Sequence, residues 1–291
     1  MKNYIVFLFI PLVLILTFTW WKQLYIQRDL AVIKFFPLYE NATFTTAASS
    51  PTLKRQIEEN EPYEVGLSTD SVLNQKSYLR QDFSFLFQNG RLKVFTKEWK
   101  QNTDRISQQT TLKAHESSLF QAMTIHYAEI HTDNDTPTSS YKLTDSSLFV
   151  IASRYGPIKS FQTPENEEQK EWAFTLSSVS NSRLAKVLDR YTEDKKLDIT
   201  KYTCIPLTQF SIKGKELLTG YSTEQQLEIT EKLWEAVYSI YVSGIKKQDG
   251  TVIDPTDSTI PLILRKHNSN RLIILIQDKS GYLHEYYQQL P

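Results

Sequence analysis

The segment HYAEIHTDND, residues 126–135, gathers two imidazoles and three carboxylates in one short run. If it is extended, Glu129, His131 and Asp133 share a face, because side chains alternate along a strand. Imidazole and carboxylate together can ligate zinc or a similar ion. The run lacks the His-Glu-x-x-His spacing of a helical zinc site. It also lacks a cysteine pair and the glycine and acid spacing of a calcium loop. A half-buried strand with a polar outer face explains the same letters, and the sequence predicts no metal and no other cofactor.

Nucleophilic chemistry has two starting points. Ser243 and Lys246 match S-x-x-K, and Lys279-Ser280-Gly281 is similar to K-T-G, two signatures of penicillin-binding enzymes. The separation between Lys246 and Lys279 is too short for that fold's intervening elements, and the S-x-N element is missing. Cys204 is the sole cysteine and cannot close an intramolecular disulfide. It ends TKYTC (200–204), in which Thr200, Thr203 and Cys204 resemble the T-L-x-T-C motif of sortases, with Lys201 in place of the leucine. The resemblance covers those positions alone. It implies a membrane-anchored extracytoplasmic β-barrel whose cysteine works with a His and with an Arg shortly after it. Here Ile205-Pro206 follows, and the next Arg is Arg265. His126 and His131 are the candidate imidazole partners. A thiolate needs an adjacent cation to form near neutral pH, and none is local. Cys204 therefore reads as a small core residue. Trp99, Trp172 and Trp234 could stack on sugars, although buried core tryptophans are the simpler expectation.

Composition narrows the partners. Lys plus Arg and Asp plus Glu number 33 each in 291 residues, so no basic excess exists to neutralise phosphates along a nucleic acid. Nucleic acid is excluded as a partner. Glycines number 8, and neither G-x-G-x-x-G nor G-x-x-x-x-G-K occurs.

The run YIVFLFIPLVLILTFTWW, residues 4–21, carries no charge. At about 1.5 Å per residue it spans roughly 27 Å, close to the hydrocarbon thickness of a bilayer. Lys2 and Lys22 flank it, and Trp20, Trp21 and Tyr25 suit the headgroup region. Bulky Trp20 and Trp21 follow the best imitation of a cleavage site, Thr17-Phe18-Thr19, so an uncleaved anchor is expected. The lipid bilayer is then a partner, residues 1–3 a short cytoplasmic head, and the rest extracytoplasmic.

Beyond the anchor, residues 22–62 read as a juxtamembrane helix and a proline-bearing spacer with at most one short strand. FSFLFQNGRLKVF predicts a hairpin about Asn89-Gly90, since both central residues of a type I′ turn need positive φ. Strands are predicted at 122–131 and 147–153. A helix start is predicted at Thr163-Pro164-Glu165, and a second helix through Leu184, Val187, Leu188 and Tyr191. Ser222 and Gln225 form a capping box for a helix over 222–244, with Leu227, Leu233, Trp234, Val237, Tyr238 and Tyr241 as its apolar stripe. The C-terminus reads as a three-stranded meander with turns at 268–270 and 278–281. The expectation is an α+β, antiparallel-sheet-rich domain over 63–291, with two to three helices and a possible division near 164. Its expected role is a non-enzymatic binding or scaffold protein of the bacterial cell envelope, with an envelope protein or glycan as partner. A wall-directed hydrolase or cysteine transpeptidase is the alternative.

Overall fold

The computed structural model describes residues 33–56, 62–131, 136–153, 156–247, 249–267 and 269–290. The expected membrane anchor at 4–21 lies outside the described residues. No helix among those described is long and apolar enough to cross a membrane. Lys34–Pro291 forms one compact unit. Its strands are antiparallel and its helices are inserted without regular alternation, an α+β architecture.

Strand β1 (Phe44–Gln56), where a spacer was expected, pairs along its length with the first half of β2 (Tyr63–Gln88). Leu53 and its small and hydroxylated neighbours supply a strand edge that weak local hydrophobicity hides. Asn89 (φ 49°) and Gly90 (φ 80°) then turn β2 into β3 (Arg91–Ala114), as the I′ signal predicts. The second half of β2 pairs on its other edge with β4 (Ser118–Ile130), followed by β5 (Thr138–Ile151) and the short β6 (Lys159–Phe161).

Between its halves β2 bends. From Val72 to Ser77 its partner in β3 advances only from Arg105 to Thr103, so the residues between bulge out of the ladder. The bend rolls the sheet until β1 meets β5. Ser49 Oγ and Thr144 Oγ1 lie 2.7 Å apart, and Ser146 Oγ donates to the Ser49 carbonyl. Inside the roll, Tyr63, Val65 and Leu67 pack against Leu86, Phe120, Ala122, Leu148 and Val150.

Helix α1 (Glu167–Lys195) is a single element where two were expected. Its cap is Asn166, whose side chain accepts the Gln169 N–H, rather than Thr163. Leu176, Leu184, Val187 and Tyr191 are its buried apolar residues, at helical spacing. The strand β7 (Tyr202–Pro206) and the short helix α2 (Phe210–Leu217) follow. Helix α3 (Thr223–Val242) has the predicted Ser222–Gln225 capping box, with both reciprocal hydrogen bonds formed. The hairpin β8 (Ile245–Lys246) and β9 (Val252–Ile253) precedes the predicted meander, β10 (Leu262–Lys266), β11 (Arg271–Gln277) and β12 (Leu283–Gln289). That meander recruits β7 into a second sheet, ordered β12-β11-β10-β7.

Both sheets share one core through α3. Trp234 lies 5.8 Å from Phe83 and 5.1 Å from Phe210 between ring centroids, and Tyr241 lies 4.5 Å from Phe85. Ile229, Leu233, Val237 and Ile240 are buried in the same cluster as the apolar residues of β10 and β11. The predicted stripe is buried from Leu233 to Tyr241, Leu227 is only half-buried, and Ile229 and Ile240 extend the buried surface beyond it. Trp234→Ala should cost about 3–5 kcal/mol, a large part of an ordinary domain's stability. Denaturant unfolding measures it, and a loss below about 1 kcal/mol would mean that α3 is not clamped.

Candidate functional site

The residues predicted to do chemistry are dispersed. Cys204 sits on β7 opposite Leu264, with partly buried packing against the shared core. Burial pushes its thiol up to about 12. The imidazole joined to its strand is His267, whose Nε2 lies 3.3 Å from Thr203 Oγ1, on the residue next to the cysteine. His126 and His131 are instead at the first sheet, on β4 and just beyond its end, so neither pairs with Cys204 in the described hydrogen bonds.

His126 is fully buried inside the rolled sheet. Its Nδ1 is 2.6 Å from Ser71 Oγ, and its Nε2 is 2.8 Å from Thr144 Oγ1. Gln81 Nε2 donates to Ser71 Oγ at 2.8 Å and Thr69 Oγ1 donates to Gln81 Oε1 at 2.9 Å, extending the network across the bend. Burial, with a smaller contribution from Lys142, lowers the His126 pKa to about 3. The ring is neutral at neutral pH, as an imidazole held by hydroxyls in a dry interior must be.

Glu129 and His131 do share a side of the strand end, with Glu129 Oε2 3.4 Å from His131 Nε2. Asp133 lies outside the described residues. Among those described, no group of three His, Cys, Asp or Glu is arranged to hold a metal. Glu129 is engaged by Arg80, whose Nη1 donates to Glu129 Oε1. Arg80 also forms a two-pronged bond to Asp82, 2.8 Å from Nε and 2.8 Å from Nη2. Its guanidinium lies 4.3 Å from the Tyr127 ring centroid and 5.5 Å from that of Trp99. Burial opposes the charge on Arg80, but Asp82 and Glu129 outweigh it and hold its pKa above the usual value. Trp99 thus serves an internal cation, and Trp234 serves the core.

The concave surface missed by the sequence reading lies between α1 and the β11–β12 hairpin. Arg190, Tyr191, Asp194 and Lys195 from the helix face Tyr282, Leu283, Glu285 and Tyr286 across a groove of about 270 Å³. Glu285 is its hub. Tyr191 Oη donates to Oε2 at 2.9 Å, Tyr287 Oη donates to the same oxygen at 2.8 Å, and Lys195 Nζ donates to Oε1 at 2.5 Å. Burial raises the Glu285 pKa, but these donors outweigh it and leave the carboxyl below its usual range. Arg190 Nη1 donates to the Gly281 carbonyl at 2.9 Å, tying the helix to the hairpin turn. Tyr282 remains about half exposed at the rim. The available sequence signal was Tyr191 on the helix facing Tyr282, Tyr286 and Tyr287 near the C-terminus, but no local spacing joins residues 90 positions apart. No protein family, curated protein or solved structure matches the chain.

Two measurements follow from these environments. The unfolded His126 titrates near 6.5 and the folded one near 3, so the unfolded chain binds the extra proton between those values. That contribution to stability is complete above pH 6.5 and is lost as pH falls towards 3. His126→Gln should be less stable than the parent at pH 7.5, with the deficit shrinking by pH 5 in paired denaturant titrations. A constant deficit would mean that His126 is not buried neutral. For Cys204, iodoacetamide should label the folded protein at pH 8 far more slowly than the urea-unfolded chain, because few thiolates form. Equal rates would indicate an activated thiol.

Proposed function

We propose that this chain is a membrane-anchored, non-enzymatic binding protein of the bacterial cell envelope, held in the bilayer by residues 4–21, with its α+β domain outside. Its partner is a wall glycan, taken by the groove between α1 and the β11–β12 hairpin. The observation that carries the reading is the make-up of that groove. Tyr282, about half exposed at the rim, and the partly buried Tyr286 stand beside the Lys195–Glu285 pair and the Arg190–Asp194 pair, the latter separated by 3.8 Å. Aromatic rings pack against the C–H faces of a sugar, while fixed charged groups hydrogen-bond its hydroxyls. The prior bonding of Glu285 holds its carboxylate in one orientation, which reduces the ordering cost of binding.

Full-length protein in detergent should sediment with insoluble wall glycan. Tyr282→Ala, at an exposed rim position, should weaken that binding about tenfold, equivalent to about 1.4 kcal/mol, without changing the melting temperature. Retention by wild type and variant alike would remove the groove from the reading. Release of soluble reducing sugar by the wild type would replace the binding role with a wall hydrolase. Peptide exchange abolished by Cys204→Ser would replace it with a cysteine transpeptidase.

A further inference from the structure

A second concavity lies further towards the N-terminal end of α1, where the helix crosses the β2–β3 turn. The approach is close: a Cβ on Gly90 would sit 2.9 Å from Ser180 Oγ. Arg183 Nη1 donates to the Asn89 carbonyl, and Arg91 Nη1 donates to the Asp257 carbonyl at 2.5 Å. Together with Lys186, Ser182 and Gln277, these arginines line an open cleft of about 610 Å³. Two elements distant in sequence, β3 and α1, therefore bring three cations to one place.

The lining contains no carboxylate. Among the described residues, Arg91, Arg183 and Lys186 have no ion-pair partner within 4.0 Å. Asp257, whose carbonyl accepts from Arg91, has its carboxylate paired with Lys93 at 2.5 Å. Burial and then the neighbouring Arg91 both lower the pKa of Arg183, as expected for like charges brought together without a counter-ion. Each guanidinium carries five N–H donors, and the backbone carbonyls occupy only part of that capacity. The Ser182 hydroxyl and the Lys186 ammonium are exposed and have no described partner, whereas Ser178 Oγ is spent on the Phe174 carbonyl and Gln277 Nε2 on that of Gly281.

We infer that this cleft binds a phosphate group, with Arg91, Arg183 and Lys186 as its ligands and Ser182 as an additional donor. A tetrahedral oxyanion with several free oxygens accepts donors from different directions at once. Here a β-strand supplies one guanidinium and α1 supplies another from the opposite wall. A planar carboxylate is satisfied by one arginine fork and leaves the other cations uncompensated. The backbone bonds of the two arginines hold their heads in place before any ligand arrives, which favours affinity over adaptability. The site is separate from the glycan groove and does not depend on it.

The test is calorimetric titration of detergent-solubilised full-length protein at low salt. The probes are inorganic phosphate, glycerol 3-phosphate as a monoester, a short glycerol-phosphate oligomer as a diester, and acetate. Millimolar or tighter binding of at least one phosphate probe is expected, at least tenfold tighter than acetate. Lys186→Glu, at an exposed position without a described partner, should weaken it at least tenfold while leaving the melting temperature unchanged. Arg183→Gln should also weaken binding at least tenfold, with near-ultraviolet circular dichroism confirming that α1 remains docked despite the lost bond to the Asn89 carbonyl. Preference for the oligomer would sustain the proposal with a polymeric phosphodiester as the source. A gain in melting temperature only in nanodiscs containing phosphatidylglycerol, lost in Lys186→Glu, would sustain it with a lipid headgroup as the source. No binding of any phosphate probe up to 50-fold molar excess over about 1 mM protein sites, together with no nanodisc effect, would overturn it. Equal binding by wild type and Lys186→Glu would also overturn it.

Discussion

The structure depends on the break in alternation at Asp82. Gln81 pairs with His126 and Phe83 with Ile125, so Asp82 is an extra residue in β2 with no partner across β4. Without it, Arg80 and the following even-numbered residues would face one way throughout the strand. The bulge switches the parity and sends Phe83, Phe85 and Phe87 to the side that Arg80 and Tyr127 occupy, where α3 packs. Leu86 and Gln81 go to the interior of the roll. A carboxylate in this position, fully buried, would be very costly alone. The two-pronged bond from Arg80 compensates it, and Glu129 balances the remaining donor.

That parity switch leaves every residue from Leu79 to Phe87 buried. A strand covered on both faces needs two different coverings, and the two differ in chemistry here. The α3 side is aromatic and aliphatic. The interior of the roll carries hydroxyls, an amide and a neutral imidazole between apolar ends. Thr69, Ser71, Gln81, His126 and Thr144 each have a hydrogen-bond partner in the network, which offsets the cost of burying them in a low-dielectric setting. The network also pins the closure of β1 on β5 through Ser49 and Thr144. His126 is thereby a structural residue whose chemistry is suppressed by its surroundings.

Function, on our proposal, is carried by α1. One side of the helix supplies Leu184, Val187 and Tyr191 to the core, while flanking positions form one wall of each concavity. Towards its C-terminal end the helix meets the β11–β12 hairpin and forms the amphoteric, tyrosine-rich groove. At its middle it crosses the β2–β3 turn and forms the cationic cleft. The positions of both rely on contacts to backbone carbonyls, of Gly281 by Arg190 and of Asn89 by Arg183. Carbonyl contacts hold an element without consuming the opposite charge that a ligand would bring.

Local signals determined much of the architecture. Asn89-Gly90 specified its turn because only residues tolerant of positive φ close a I′ hairpin, and Ser222 with Gln225 specified the start of α3 because the capping box is complete within four residues. The C-terminal meander was likewise legible from apolar runs separated by turns. The cap of α1 was misplaced by three residues because Thr163-Pro164 and Asn166 offer competing starts, and only the Gln169 N–H bond chooses between them. The burial of Ile229 and Ile240 on α3, the length of the strand in the expected spacer and the bulge at Asp82 required the tertiary structure, since each depends on a partner far along the chain. The same holds for chemistry. Sequence spacing grouped Glu129 with His131, but it could not disclose that Arg80 claims Glu129 or that His126 is sealed from solvent. Nor could a balanced total of charges reveal the local excess formed by Arg91, Arg183 and Lys186, because charge balance is a sum over the chain and an electrostatic site is a matter of distance.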